Sequence, residues 1–141
     1  MRIASTISRY LLGLVFLVFG LNGFFHFIPQ PPPTGLALQF FIAVSASHFI
    51  AAVFAVQTIS GVLLLLNRYV PLALTMLAGM LFNILDFHIT ILHGGLGMPL
   101  FVTALWFIVA ASVRPAFAGL FQARVSSVDS HPISSARPVE A

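Results

Sequence analysis

Apolar residues run almost unbroken from Ile7 to Ile28, from Leu36 to Leu66, from Val70 to Ile91 and from Leu100 to about Val113. The stretches between them are short and polar or proline-rich: Pro29-Gln30-Pro31-Pro32-Pro33-Thr34-Gly35, Asn67-Arg68-Tyr69, and His93-Gly94-Gly95-Leu96-Gly97-Met98-Pro99, with Arg114-Pro115 closing the last run. About 20 apolar residues suffice to cross a bilayer as a helix. The second run is too long for one crossing, so Leu36 to about Ser47 reads as an interfacial or re-entrant helix and His48 to Leu66 as a span. The prolines after Pro29 remove backbone donors and favour polyproline geometry. Pro71 stands in the first turn of the next helix, where its missing N–H costs nothing. The pattern therefore predicts an all-α integral membrane four-helix bundle with a short interfacial or re-entrant segment after the first helix. Its expected spans are about 7–28, 48–66, 70–91 and 99–117. The first run continues through Phe24, Phe25 and Phe27, beyond the roughly 7–15 apolar residues of a signal peptide, and is expected to be a retained helix. Residues 122–141, rich in Ser, Pro and Val, are expected to form a disordered cytoplasmic tail.

Composition agrees. Of 141 residues, 60% are hydrophobic and 6% charged, with a mean hydropathy of +1.07. Soluble domains carry about 25% charged residues, so lipid is the expected solvent for most of this surface. Cysteine is absent, which excludes disulfides, thiolate ligands and thiol nucleophiles. The pI near 10.7 comes from six arginines and no lysine. They are scattered singly, so no nucleic-acid partner is expected. With four spans, Arg2, Arg9, Arg68, Arg114, Arg124 and Arg137 all fall on one side. The positive-inside rule then puts both termini in the cytoplasm of a multi-pass bacterial inner-membrane protein.

Candidate chemistry lies in the few polar residues within the spans. Asp86 is the only acidic residue before the tail. A charge in the middle of a membrane costs about 2.5–3.5 kcal/mol or more. At 100° per residue, Thr75, Gly79, Asn83, Asp86, Thr90 and His93 share an arc of about 80°, and this face is expected to look into the bundle. His88 falls on roughly the opposite side. Asn22 and His26 are i, i+4 on the first helix. The first and third helices run the same way, so at about 1.5 Å per residue Asn22 and Asn83 lie at equal depth, roughly 20 Å from their inner ends. His48 enters from the same outer side. These groups are expected to line one outward-opening pocket, with ligand-binding candidates Asn22, His26, Asn83, Asp86 and His88 and with Phe24 or Phe25 nearby. Gly13 and Gly20 share a face suited to close helix approach, as do Ser47, Ala51 and Ala55. Gln57, Thr58 and Ser60 are expected to hydrogen-bond another helix.

Leu21-Asn22-Gly23-Phe24-Phe25-His26-Phe27-Ile28-Pro29 resembles the first-helix signature of the DoxX-like family of small membrane proteins. Gly61-Val62-Leu63-Leu64-Leu65-Leu66-Asn67-Arg68 with Pro71-Leu72-Ala73-Leu74, and Asn83-Ile84 with Phe87-His88, resemble its second and third motifs. The resemblance covers about residues 5–120. It implies four membrane helices and motif positions at Asn22, His26, Asn67, Arg68, Asn83 and His88. Asp86 departs from the family pattern, in which many relatives carry an apolar residue. The resemblance also implies mixed roles: thiosulfate:quinone oxidoreductase, membrane oxidative-stress complexes and, among distant relatives, receptor assembly and cargo export.

Each polar residue also has a plain structural role open to it. The asparagines can cap helices or bridge them, the histidines can bond a carbonyl or water, and Asp86 can pair with a histidine or face headgroup water. Arg68 can be a topology anchor, and the phenylalanines can be interfacial packing. A zinc site would need His26, His88, His93 and Asp86 to converge, and no single-helix ligand pair supports one, so no metal is expected. A haem is not distinguishable from quinone or lipid, and no Ser–His pair stands at a nucleophile elbow. Three functions follow in order. The first is a redox-associated subunit, accessory rather than catalytic alone, binding a quinone or lipid-like ligand in the outer polar pocket. There His26 or His88 would donate to a carbonyl and Asp86 relay a proton. The second is a non-catalytic assembly or chaperone module that holds a partner membrane subunit or a second copy. The third is a small-solute transporter, for which no internal repeat is evident. Membrane lipid is an expected partner in every case. The arginine placement makes a direct prediction: a reporter active only in the periplasm, fused at the C-terminus, stays silent, and activity there would refute the orientation.

Overall fold

The computed structural model describes residues 2–121, and all of its regular structure is helical. The expected tail at 122–141 lies outside the described residues. The helices are α1 (Arg2–Phe25), α2 (Gly35–Ala46), α3 (Phe49–Leu65), α4 (Val70–Asp86) and α5 (Gly97–Ser112). A π-helical turn, Phe87–Ile91, continues α4, and a 3₁₀ segment, Arg114–Phe121, follows α5.

The breaks fall where local chemistry requires them. At the end of α1, His26 adopts a left-handed conformation (φ 51°) and its N–H bonds the Asn22 carbonyl at 2.8 Å, a helix stop of the left-handed type. The proline-rich stretch then runs without helix to Thr34. The apolar run 36–66 divides at Ser47 and His48. His48 is also left-handed (φ 58°), and α2 meets α3 at 86°. A helix turned through a right angle cannot share the direction of its neighbour, so α2 lies across the end of α3. Asn67 and Tyr69 make the next tight turn, both with positive φ. The continuous helix Val70–Ile91 has 22 residues. The fourth run differs from its expected extent of 99–117. Helix α5 stops at Ser112, and the chain turns by 86° into the 3₁₀ segment. Pro115 accounts for the break, because it disfavours helical geometry at Arg114 and offers no N–H itself. Two helices, Arg2–Phe25 and Val70–Ile91, are long and apolar enough to cross a membrane, or up to four stretches are if each bent pair counts as one.

Helices α1, α3, α4 and α5 share one core. It contains Leu12 and Phe16 from α1, Leu64 from α3, Ala73, Leu74, Leu77 and Leu81 from α4, and Val102, Leu105 and Val109 from α5. Helix α1 packs chiefly on α3 and then on α5, while α4 packs on α3 and α5, so α1 and α4 sit diagonally. Trp106 on α5 ties the second pair by donating its indole N–H to the Leu74 carbonyl of α4 at 2.9 Å.

The α1–α3 contact depends on glycine. A Cβ on Gly61 would stand 2.6 Å from the Leu17 nitrogen and 2.8 Å from the Gly13 carbonyl oxygen, both backbone atoms that no rotamer change can clear. Gly20 lies equally tight against Thr58. The glycine face expected on α1 is thus a real contact face, but its partner strip is Gln57, Thr58 and Gly61. Of the strip expected instead, Ser47 is exposed and Ala51 and Ala55 are only half-buried. The interhelical hydrogen bonds expected of Gln57, Thr58 and Ser60 are absent among the described residues. Thr58 donates to Phe54 on its own helix at 2.8 Å, and Gln57 Oε1 and Ser60 Oγ are buried without a partner.

The wheel of α4 is inverted relative to expectation. Its buried residues are Val70, Ala73, Leu74, Leu77 and Leu81, while Thr75, Gly79, Asn83, Asp86 and Thr90 are exposed. The period is right and the facing is reversed, because leucine and alanine fill the space between the helices and leave none for polar groups. A methyl group added at Gly79 meets nothing within 4 Å. Two alanine substitutions therefore have opposite signs. Gly61→Ala should destabilise the purified protein by about 1–3 kcal/mol through overpacking. Gly79→Ala should be neutral or stabilising by up to about 1 kcal/mol, as for any exposed helical glycine. Thermal unfolding in detergent reads both, and equal losses would contradict this packing.

Candidate functional site

The five candidate residues divide between two helices that are not neighbours. Asn22 and His26 belong to the end of α1, and Asn83, Asp86 and His88 to the end of α4 and its π turn. Each has a local environment with a physical explanation.

Asn22 is buried, and its Oδ1 accepts the Ile28 N–H at 2.6 Å while Nδ2 reaches the Ile28 carbonyl at 3.5 Å. It clamps the chain as it leaves α1, which satisfies backbone groups that the proline stretch leaves unpaired. His26 supplies the left-handed stop, and its side chain is exposed. Asn83 is exposed and donates to the Gly79 carbonyl one turn back at 2.8 Å. Thr75 and Thr90 do the same, to Pro71 at 2.9 Å and to Asp86 at 2.7 Å. These back-bonds satisfy donors that point away from the core. Asp86 is exposed on the same arc.

His88 is the one candidate imidazole that is half-buried. Its Nδ1 lies 2.7 Å from the Ile84 carbonyl. A carbonyl only accepts, so Nδ1 carries the proton and Nε2 is left to another partner. This ring stands at the start of the π turn. The wider repeat, seen in the Leu92 N–H bonding the Phe87 carbonyl at 2.9 Å, begins at Phe87, and His88 stays roughly opposite the exposed arc, where the ideal wheel puts it. Phe87 stands edge-on to His88 at 5.5 Å and carries Phe40 at 5.3 Å and Phe41 at 5.5 Å from α2. Gly95, at φ 70°, comes over the imidazole from the following loop, where an added Cβ would lie 3.5 Å from His88 Cδ2. Phe24, one of the two rings expected near the outer pocket, packs on Phe54 of α3 at 6.0 Å. His48 caps the α2–α3 corner and is exposed.

The two clearest cavities lie elsewhere. One, of about 220 Å³, is an apolar groove between α4 and α5 lined by Leu81, Leu85, Trp106 and Phe107 among others. The second, of about 170 Å³, lies at the opposite end from Asp86 and contains Arg9, Asn67 and Ser112. None of the five candidates lines either cavity. Among the described residues, no three His, Cys, Asp or Glu side chains come together in a way that could hold a metal ion. Comparison with family models, curated proteins and solved structures gives no match.

Two features leave no local mark in the sequence. Arg9 reads as one of several scattered topology arginines, yet it is only 9% exposed. Its place opposite Leu64 follows from helix packing that no local pattern reveals. The aromatic cluster of Phe40, Phe41 and Phe87 joins segments 47 residues apart in the chain at its widest, and the phenylalanines of α2 carried no sign of their partner.

Proposed function

We propose that this chain is a multi-pass membrane protein of the DoxX-like type, a four-helix bundle that serves as a non-catalytic assembly module. The carrying observation is the outward face of α4. Thr75, Gly79, Asn83, Asp86 and Thr90 are all exposed along one side, opposite the leucines that fill the core. In lipid such a face is left over, and a second membrane helix is what it fits. The bare glycine admits a close backbone, Asn83 offers both a donor and an acceptor across the contact, and the threonines are small. A carboxylate facing hydrocarbon is costly unless paired or hydrated, and Asp86, near the outer end of the helix, can meet either need. The four described arginines support the expected orientation. Arg9 contacts Leu64 at the end of α3, Arg68 is in the α3–α4 turn, Arg114 follows α5, and Arg2 starts α1, so all four belong to one end.

A second reading keeps the redox-associated role for a quinone or lipid-like ring. It now rests on the half-buried His88 beside Phe87, Phe40 and Phe41, with His26 on a helix diagonal to it. One experiment separates the two. The full chain is purified from native membranes, co-purifying membrane proteins are identified, and its organic extract is assayed for quinone. On the assembly reading a stoichiometric partner or second copy co-purifies, and Gly79→Leu lowers that yield at least fivefold while unfolding is unchanged. Stoichiometric quinone that is lost in His88→Ala, with no partner sensitive to Gly79→Leu, would replace this reading by the redox one.

A further inference from the structure

The inner end of the helices buries a cation without an anion. Arg9 is nine-tenths buried between α1, α3 and α5, and its Nη1 donates to the Leu64 carbonyl, which also accepts the Asn67 N–H at 3.2 Å. A carbonyl at a helix C-terminus is a natural partner for a guanidinium, but it takes one of five donors. Asp86 is the only acidic residue among residues 1–121, and it lies sixteen positions beyond Val70 along α4. At about 1.5 Å per residue that is roughly 24 Å away. Topology alone does not require this burial, since an orienting arginine can remain in headgroup water, as the exposed Arg2, Arg68 and Arg114 can.

Arg9 lines a space, with its guanidinium also stacked over the exposed Tyr10 ring at 4.4 Å. The cavity of about 170 Å³ is lined by Arg9, Ser5, Thr6, Asn67, Ser112 and three valines. Water occupies roughly 30 Å³ per molecule in the liquid, so this volume accommodates one tetrahedral oxyanion or several waters. Thr6, Asn67 and Ser112 are exposed residues, so the cavity opens to the surface. The hydroxyls of Ser5 and Thr6 donate to the Arg2 carbonyl at 3.0 and 2.9 Å, and that of Ser112 to the Val109 carbonyl at 2.7 Å. They are rotors and can turn to an incoming acceptor. Asn67 is fixed at the rim by its left-handed backbone (φ 54°), with an amide that supplies two more donors. With four arginines and no acid among the described residues at this end, the local field favours an anion.

We infer that this cavity is a binding site for a phosphate group, held by Arg9 in a charge-assisted fork and completed by Asn67 and the hydroxyls. The group is either free phosphate or the headgroup of an anionic phospholipid. Only the lipid source rests on the membrane reading above, and neither source depends on the α4 partner.

The test uses the full chain purified in a zwitterionic detergent. Inorganic phosphate is titrated in one arm. In the other, the chain is placed in phosphatidylcholine nanodiscs with or without 10% phosphatidic acid, and bound lipid is counted by native mass spectrometry. One phosphate or one phosphatidic acid per chain is expected, with saturable stabilisation on thermal unfolding. Binding to phosphate alone identifies the free anion, and retention of phosphatidic acid without response to phosphate identifies the headgroup. Arg9→Gln should weaken binding at least tenfold, and Arg68→Gln, exposed at the same end, less than threefold. Should Arg9→Gln fail to fold, Ser112→Phe fills the cavity from its rim while leaving the Arg9–Leu64 bond in place, and it should abolish binding without lowering the melting temperature. Binding that survives both Arg9→Gln and Ser112→Phe would overturn the site, as would no binding in either arm. Binding that emerges only in Asp129→Asn/Glu140→Gln would also overturn it, because a carboxylate of the chain itself would then be the natural occupant.

Discussion

Where α1, α3, α4 and α5 meet, leucine, valine, alanine and phenylalanine fill the space, and glycine brings two backbones almost into contact. That packing constrains everything else. A Cβ at Gly61 has no place to go, so α1 and α3 approach through bare backbone and their side chains pack to either side. Polar side chains on these helices then bond their own backbone, as Thr58, Thr75, Asn83, Thr90 and Thr103 do, or reach backbone beyond their helix, as Arg9, Asn22 and Trp106 do, or point outward. Gln57 Oε1 and Ser60 Oγ are the exceptions, buried and unpaired among the described residues. Such atoms cost about 1–3 kcal/mol each, which marks the middle of α3 as a place where packing has overridden hydrogen bonding.

The two ends of the molecule differ in charge and in construction. One end carries Arg2, Arg9, Arg68 and Arg114, and Arg9 lines a small cavity there. The other carries Asp86, His26, His48, His88 and His93 on turns and helix ends, and three of these histidines, at 26, 48 and 93, hold left-handed backbone conformations. That conformation costs roughly 1 kcal/mol or more in a residue with a Cβ, so their first role is to turn the chain. Only His88 combines burial with aromatic neighbours. A single outer pocket shared by α1 and α4 would require those helices to be neighbours, and α3 and α5 lie between them.

Much of the architecture was legible because apolar length and proline placement act locally. The divided run 36–66, the turn at Asn67 and the glycine face of α1 all follow from residues close in sequence. Three things were not legible. The wheel of α4 gave the arc correctly but not its direction, because periodicity is blind to which side the neighbours occupy. The rule that polar groups face inward fails when the interior is already filled by Leu74, Leu77 and Leu81. Arg9 and Leu64 are 55 residues apart, and burial of a lone arginine depends on a cavity formed by three helices. The π turn at Phe87–Ile91, and the packing of Phe40 and Phe41 on Phe87 beside it, join segments that no local pattern connects.

The outward direction of the α4 polar face is the claim on which the functional reading stands. Because the chain has no cysteine, single cysteines can be placed along α4 and spin-labelled one at a time. With one chain per phosphatidylcholine nanodisc, collision with oxygen measures exposure at each position from 73 to 84. A 3.6-residue oscillation is expected, with maxima at Thr75, Gly79 and Asn83 and minima at Leu74, Leu77 and Leu81. An oscillation of opposite phase, with Gly79 and Asn83 shielded and Leu77 and Leu81 accessible, would contradict it.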